Sequence, residues 1–265
     1  MFWVILILLF LYLLALQGRT GHPLMQELRR WNYAHRGLHG SGLPENSMAA
    51  FRTALEGGYG IELDLHLLSD GNLAVIHDSL LKRTTGAEGR IEDLTTADLK
   101  NYQLEGTAET IPTFREVLEL FDGKAPMIVE LKPVGGNHAA LAEEACRQLE
   151  GYSGAYCIES FDPRCLFWLK KNRPQIVRGQ LSMNFFRNPE GQPLPIQAAL
   201  TCHLLNFLSK PDFIAYKFAD RNRLGCFLCR KLWHIQGVAW TIRTPAEHAQ
   251  AQKEGWLSIF ENFRP

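Results

Sequence analysis

The chain has 265 residues, 46% of them hydrophobic, with 28 basic and 28 acidic side chains and no net charge. This supports a sizeable core and one large α/β domain (a (β/α)8 barrel needs roughly 250 residues), and it removes any electrostatic case for a nucleic-acid partner. Six irregularly spaced cysteines include a lone C-x-x-C at Cys226 and Cys229 without the second pair of a zinc site, so they read as free thiols of a reducing compartment.

Phe2–Leu16 is uninterrupted apolar, FWVILILLFLYLLAL. It falls short of the ~20 residues of a comfortable transmembrane helix, yet it has neither the positive start nor the small-x-small cleavage site of a signal peptide. It is read as a retained single-pass anchor over residues 1–18. Arg19, Arg29 and Arg30 follow it, which places the rest of the chain on the cytoplasmic side. Residues 19–31 then form a juxtamembrane linker, and residues 32–265 the main folded domain.

Tyr33–Gly37 reads as a strand running into a loop. A helix follows over Ser47–Glu56, capped by Asn46 or Ser47, with Met48, Phe51, Ala54 and Leu55 at helical spacing. The strand Gly60–Leu65 alternates, with Ile61, Leu63 and Leu65 on one face and Glu62 and Asp64 on the other. Two adjacent carboxylates on an inward face repel each other and lose their hydration, and a hard divalent cation resolves both problems. Leu73–Asp78 reads as a third strand, ending in His77-Asp78. Leu80–Thr110 is polar and turn-rich. Met127–Lys132 is a strand with Glu130 and Lys132 facing inward. Strands over Ala155–Ser160, Ile176–Leu181, Phe213–Phe218 and Gly237–Ile242 alternate with helices, among them an apolar helix over Ile196–Leu208, in a segment Leu194–Leu208 read as core-facing, the alternative being that it grazes a membrane. About eight strands alternating with helices imply parallel pairing with right-handed crossovers, and polar residues gather at strand C-termini. The expected fold is a TIM (β/α)8 barrel preceded by one N-terminal hydrophobic helix; an open doubly wound sheet lacks its G-x-G-x-x-G.

Glu62, Asp64 and Glu130 would make an oxygen-rich site for Mg²⁺ or Ca²⁺ at the barrel mouth. His35 and His77 titrate near neutrality and could move protons, while Arg36 and Lys132 supply fixed charge for an anion. Cation, acid–base pair and basic residues together describe phosphoryl transfer. Asp78 either orients His77 or caps the next turn, and Lys132 either binds anion or neutralises Glu130. His39, His66 and His138 are read as ordinary core or surface histidines.

The motifs AHRG (34–37), PENSMAAF (44–51), GIELDLHLLSDGNLAVIHD (60–78), LKRTTGAEGRIEDLT (81–95), IPTFREVLEL (111–120), VELKP (129–133), SFDP (160–163), PDFIAY (211–216) and VAWTIRT (238–244) resemble the glycerophosphodiester phosphodiesterase family. The resemblance implies a TIM barrel with a short cap inserted at Ser79–Pro112. It implies metal-dependent hydrolysis of a glycerophosphodiester to an alcohol and glycerol 3-phosphate. It puts the catalytic histidines on His35 and His77, the metal ligands on Glu62, Asp64 and Glu130, and phosphate contacts on Arg36 and Lys132. Trp240 matches an aromatic that closes the family's substrate pocket. The last segment, GWLSIFENF, departs from the family's Gly-rich strand and acidic turn, and no active-site acid is expected there. The apolar N-terminus, which small soluble members lack, would hold the barrel mouth near a bilayer and favour a lipid or lysophospholipid substrate. The alternatives are a lyase forming a cyclic phosphate on the same scaffold, an inactive membrane-anchored binding protein, and a single-span structural protein. The presence of both histidines and all three acids disfavours the second, and the long α/β pattern the third.

Overall fold

Each strand of an α/β chain has two faces to cover, and closing the sheet covers one of them with the chain's own side chains. The computed structural model describes all 265 residues. Its strands are β1 (Tyr33–His35), β2 (Gly60–Leu67), β3 (Leu73–Val75), β4 (Met127–Leu131), β5 (Tyr156–Ser160), β6 (Arg178–Ser182), β7 (Phe213–Lys217), β8 (Gln236–Ile242) and β9 (Trp256–Phe260). All but β3 pair in parallel in the order β1-β2-β4-β5-β6-β7-β8-β9, and β9 returns to β1. The protein is a TIM barrel, as expected from its sequence.

The membership of the ring differs from expectation in one strand. Leu73–Val75 is not a barrel strand. It runs antiparallel to the upper end of β2, with Leu65 opposite Val75 and Leu67 opposite Leu73. The short Asp70-Gly71 turn forces this, because a two-strand turn can only reverse the chain, whereas a parallel neighbour needs a crossover. The eighth barrel strand is instead β9, near the chain's end.

The helices are α1 (Phe2–Ala15), α2 (Met25–Leu28), α3 (Met48–Glu56), α4 (Lys82–Thr85), α5 (Phe114–Phe121), α6 (His138–Gln148), α7 (Pro163–Asn172), α8 (Leu194–Thr201), α9 (Asn206–Ser209), α10 (Leu224–Lys231) and α11 (Pro245–Lys253). Ser47 caps α3 by accepting from the Ala50 N–H, and Thr113 and Glu116 form a reciprocal capping box on α5. Ile61, Leu63, Leu65, Val129 and Leu131 point out of the barrel into the helix layer with Phe51, Phe114 and Phe121. Ile128, Cys157, Val177, Phe213 and Leu257 fill the barrel's lower interior. The excursion after β3 carries its own small core of Ile76, Leu81, Ile91, Leu99 and Leu104, and His66 on β2 ties it down through Glu92 (2.7 Å) and the His77 carbonyl (3.1 Å). The expected apolar helix within Leu194–Leu208 divides into α8 and α9. It does not face the core: Leu194, Ile196 and Phe207 are exposed. Among α8 residues only Thr201 is buried.

The N-terminal segment corrects the reading as a membrane anchor. No helix is long and apolar enough to cross a membrane. The 14 residues of α1 reach about 21 Å at 1.5 Å per residue, well short of a hydrocarbon core of roughly 30 Å. The side of the membrane read from Arg19, Arg29 and Arg30 falls with the anchor, and so does the picture of a linker holding the barrel mouth at a bilayer. The chain after α1 is bound to the opposite end of the barrel. Leu16 is fully buried, and its carbonyl accepts from Asn206. Arg19 clamps Asp212, just ahead of β7, with two 2.6 Å bonds and also donates to the Ile176 carbonyl. Met25 and Leu28 of α2 join the lower interior core, and the Tyr33 hydroxyl donates to the Leu28 carbonyl. Residues 16–31 thus plug the barrel's N-terminal end.

This plug makes a prediction. Arg19→Ala leaves the buried Asp212 carboxylate without its cation and is expected to cost roughly 3 kcal/mol, a fall in Tm of about 6–12 °C. Removing residues 1–11, which bury no side chain, leaves Tm unchanged in the same thermal melt.

Candidate active site

Alternation on two neighbouring strands builds the centre of the site. Glu62 and Asp64 face inward from β2, and Asp64 lies in register with Glu130 on β4. All three are buried, and their ligating oxygens lie within 4.8 Å of one another. Glu159 on β5, in register with Glu130, adds a fourth buried carboxylate one strand further round.

Two cations reach this group. Lys132 Nζ lies 2.8 Å from Glu130 Oε1 and 3.2 Å from Asp64 Oδ1. Arg36 Nε lies 3.4 Å from Asp64 Oδ2, and the Arg36 backbone N–H donates to Glu62 Oε2 at 3.1 Å. Arg36 takes a left-handed backbone conformation (φ 52°), uncommon for a residue with a Cβ. Gly37 follows at φ 80°, where a side chain would meet Ala50 of α3 at 2.9 Å. The glycine therefore lets the loop turn against α3 and aim Arg36 into the mouth. Asn46 donates to Asp64 Oδ2 at 2.9 Å.

These contacts do not balance the charge. Burial, then Asp64 and Glu130, push the Glu62 carboxyl well above its ordinary value. Burial raises Glu130 to about 7, against the pull of Lys132. Burial also opposes ionisation of Asp64, but Lys132, His77 and Arg36 outweigh it and hold this carboxyl well below the usual range. Clustered carboxyl oxygens that resist ionisation for want of positive charge are the donor set a hard divalent cation takes.

Two histidines flank this centre, each held by its own carboxylate. His35, at the end of β1, has Nδ1 2.6 Å from Glu261 Oε2, and its Nε2 lies 3.9 Å from Glu62. His77 has Nδ1 2.6 Å from Asp78 Oδ1, so Asp78 orients the ring rather than capping a turn. Each carboxylate is in turn held by an arginine, Glu261 by Arg243 at 2.6 Å and Asp78 by Arg83. A carboxylate at Nδ1 selects the tautomer with its proton there and leaves Nε2 as an open lone pair. Burial lowers His77 to about 4, and burial lowers His35 despite Glu261.

His35, Arg36, Glu62, Asp64, Glu130 and Lys132 thus touch one another, and His77 joins them through the field of Asp64, Lys132 and Arg36. Lys132 pairs with both Asp64 and Glu130, and it holds Asp64 ionised without offsetting the burial that keeps Glu130 raised. Trp240 stands further round, at the end of β8, with its ring edge-on to Phe161 at 5.6 Å. Three residues escaped the sequence reading. Asn46 was weighed only as a helix cap, and that role belongs to Ser47. Glu159 sits at the end of the strand read over Ala155–Ser160, with no local signal to pair it with Glu130. Glu261 lies in the segment where no active-site acid was expected; counting Trp256–Phe260 as a barrel strand would have put it at the rim beside His35.

Residues 35–263 match the model of the Glycerophosphoryl diester phosphodiesterase family. A glycerophosphodiester phosphodiesterase of Bacillus altitudinis is 37% identical over 169 residues, covering 60% of this chain and 69% of the relative. Human lysophospholipase D GDPD1 is 38% identical over 112 residues, 37% of this chain and 35% of the relative. The structure superposes on that of an Oleispira antarctica phosphodiesterase in complex with the product sn-glycerol-3-phosphate, with a TM-score of 0.75 and 23% identity over 93% of this chain and 96% of the other. The family match spans the histidines, the acidic centre and Glu261 alike, and the chain is an enzyme of the glycerophosphoryl diester phosphodiesterase family.

Proposed function

We propose that the protein hydrolyses glycerophosphodiesters to an alcohol and glycerol 3-phosphate, using Glu62, Asp64 and Glu130 to hold a divalent cation and His35 and His77 to move protons. One observation carries this reading: two histidines, each with Nδ1 on a carboxylate, border a buried group of carboxylates short of positive charge.

Mg²⁺ or Ca²⁺ held by Glu62, Asp64 and Glu130 would supply positive charge to the phosphate. Arg36 and Lys132 lie against the same acids and add fixed positive charge beside the phosphate as its charge grows in the transition state. One histidine accepts the proton of the attacking water at Nε2. The other, protonated at Nε2, delivers that proton to the leaving alcohol, and exchange with solvent returns both rings to their starting states. Glu261 and Asp78 keep each ring in the tautomer this needs and stabilise it when it becomes charged. Trp240 and Phe161 offer an apolar wall for the rest of the substrate. The partial match to a lysophospholipase D supports lysophospholipids as a second substrate class.

Three outcomes test this. Incubating glycerophosphocholine or lysophosphatidylcholine with the protein is expected to release glycerol 3-phosphate or lysophosphatidic acid, respectively, by phosphorus NMR; a cyclic phosphate product identifies the lyase reaction instead. EDTA abolishes turnover, and Mg²⁺ or Ca²⁺ restores it. His35→Ala and His77→Ala each lower kcat by about 10²–10⁴-fold without lowering Tm by more than a few degrees.

Stability carries a further signature. In the cation-free protein Glu62 and Glu130 hold protons more tightly folded than unfolded. Their contribution is full below the ordinary glutamate range and is lost as pH rises, for Glu130 through about 7. In EDTA, Tm is expected to fall between about pH 5 and about pH 8, and saturating Mg²⁺ or Ca²⁺ to remove most of that fall.

A further inference from the structure

A second group of metal-ligating atoms lies behind His35, on the side away from the acidic centre. The loop after β1 brings His39 back over the end of β9. His39 Nε2 stands 3.8 Å from Glu261 Oε2, and His35 Nδ1 stands 2.6 Å from the same oxygen. The ligating atoms of His35, His39 and Glu261 all lie within 4.8 Å of one another. At 3.8 Å His39 is too far for a hydrogen bond, and its Nε2 is shielded from solvent with no hydrogen-bond partner. The histidine thus stands at ion-pair distance from a carboxylate, short of hydrogen-bond contact.

The donor set differs in kind from that of the acidic centre. Two imidazoles and one carboxylate suit a borderline ion such as Zn²⁺, whereas Mg²⁺ and Ca²⁺ take oxygen. Zinc bonds of about 2.0–2.1 Å in a tetrahedron set donors roughly 3.3 Å apart. Reaching that spacing opens the His35–Glu261 pair and closes the His39–Glu261 gap, each by less than about 1 Å. Arg243 on the other oxygen of Glu261, at 2.6 Å, already holds the carboxylate in place.

We propose that His35, His39 and Glu261 form a second metal site, for Zn²⁺ or a similar borderline divalent ion, and that filling it switches the enzyme off. With Glu261 at Nδ1, the His35 ring carries its proton there, and Nε2 can take up a proton and release it. A metal at Nδ1 displaces that proton, and the neutral ring then holds its one proton on Nε2. That nitrogen has no lone pair to accept another and is far too weak an acid to give this one up, so both roles in proton transfer are closed. The switch rests on the acid–base role of His35 given above; the metal site does not.

The full-length protein, with its acidic centre saturated by excess Mg²⁺ or Ca²⁺, is titrated with Co²⁺ as a spectroscopic probe and with Zn²⁺ as the inhibitor. One equivalent of Co²⁺ is expected to raise visible absorption bands of nitrogen-ligated cobalt. Zn²⁺ is expected to displace the Co²⁺ and to stop hydrolysis of glycerophosphocholine. His39→Ala and His39→Gln should keep turnover in Mg²⁺ or Ca²⁺ while binding Co²⁺, and responding to Zn²⁺, at least about tenfold more weakly. Binding and inhibition unchanged in both variants, or no nitrogen-ligated cobalt spectrum in the wild type, overturns the site. Zn²⁺ binding that needs His39 yet leaves turnover intact upholds the site and overturns the switch, and with it the acid–base role of His35.

Discussion

Carboxylates crowded into a buried barrel mouth cannot all be anions without positive charge brought to them, and much of this protein is arranged around that constraint. Strand alternation puts Glu62 and Asp64 on one inward face, and parallel register sets Glu130 beside Asp64. Lys132, Arg36 and Asn46 then converge on Asp64, the one member held firmly ionised. Glu62 and Glu130 are left short of charge, held as acids by burial and by their neighbours. Buried oxygens short of positive charge are the donor set a divalent cation suits, and one bound there would tie binding and stability to the same few oxygens.

The histidines show a second economy. Each is fixed at Nδ1 by a carboxylate, and each carboxylate is fixed by an arginine, so two Arg–acid–His chains face the centre. Against burial, Arg83 and then His77 hold Asp78 ionised, and the His35 hydrogen bond, ahead of Arg243, does so for Glu261; an ionised acid is what selects the useful tautomer. The chains differ in reach. His77 and Asp78 are adjacent in sequence, whereas His35 and Glu261 come from opposite ends of the barrel ring and meet only because β1 pairs with β9. Ring closure is therefore a condition of the site as well as of the core.

At the other end of the barrel the chain solves a plainer problem. The lower interior is lined by Ile128, Val177, Phe213 and Leu257, and water must be kept from it. Residues 16–31 do this with Met25 and Leu28 as the stopper and Arg19–Asp212 as the clamp. Basic residues there that read as flanks of a membrane span include at least one, Arg19, whose charge is spent on a buried partner inside the protein. The apolar faces left outside, on α1 and α8, are a property of the surface and take no part in the barrel.

Much of the site was legible in the sequence because its signals are local. A period of two in Gly60–Leu65 separates the carboxylates from the core face whatever the strand packs against, and His35, Arg36, His77, Glu130 and Lys132 sit at strand ends that apolar runs mark plainly. Parallel α/β order follows from the same alternation. Local pattern could not tell that Leu73–Val75 folds back on β2 while Trp256–Phe260 completes the ring, since both are short apolar runs and only their partners distinguish them. Nor could it give Glu261 a role, because its partner His35 lies 226 residues away, or show that Arg19 answers to Asp212 across 193 residues. The sequence by itself determined which residues face inward and what chemistry they can perform. The closure of the ring alone decided which of them meet, because contacts between distant strand ends leave no trace in the spacing of either.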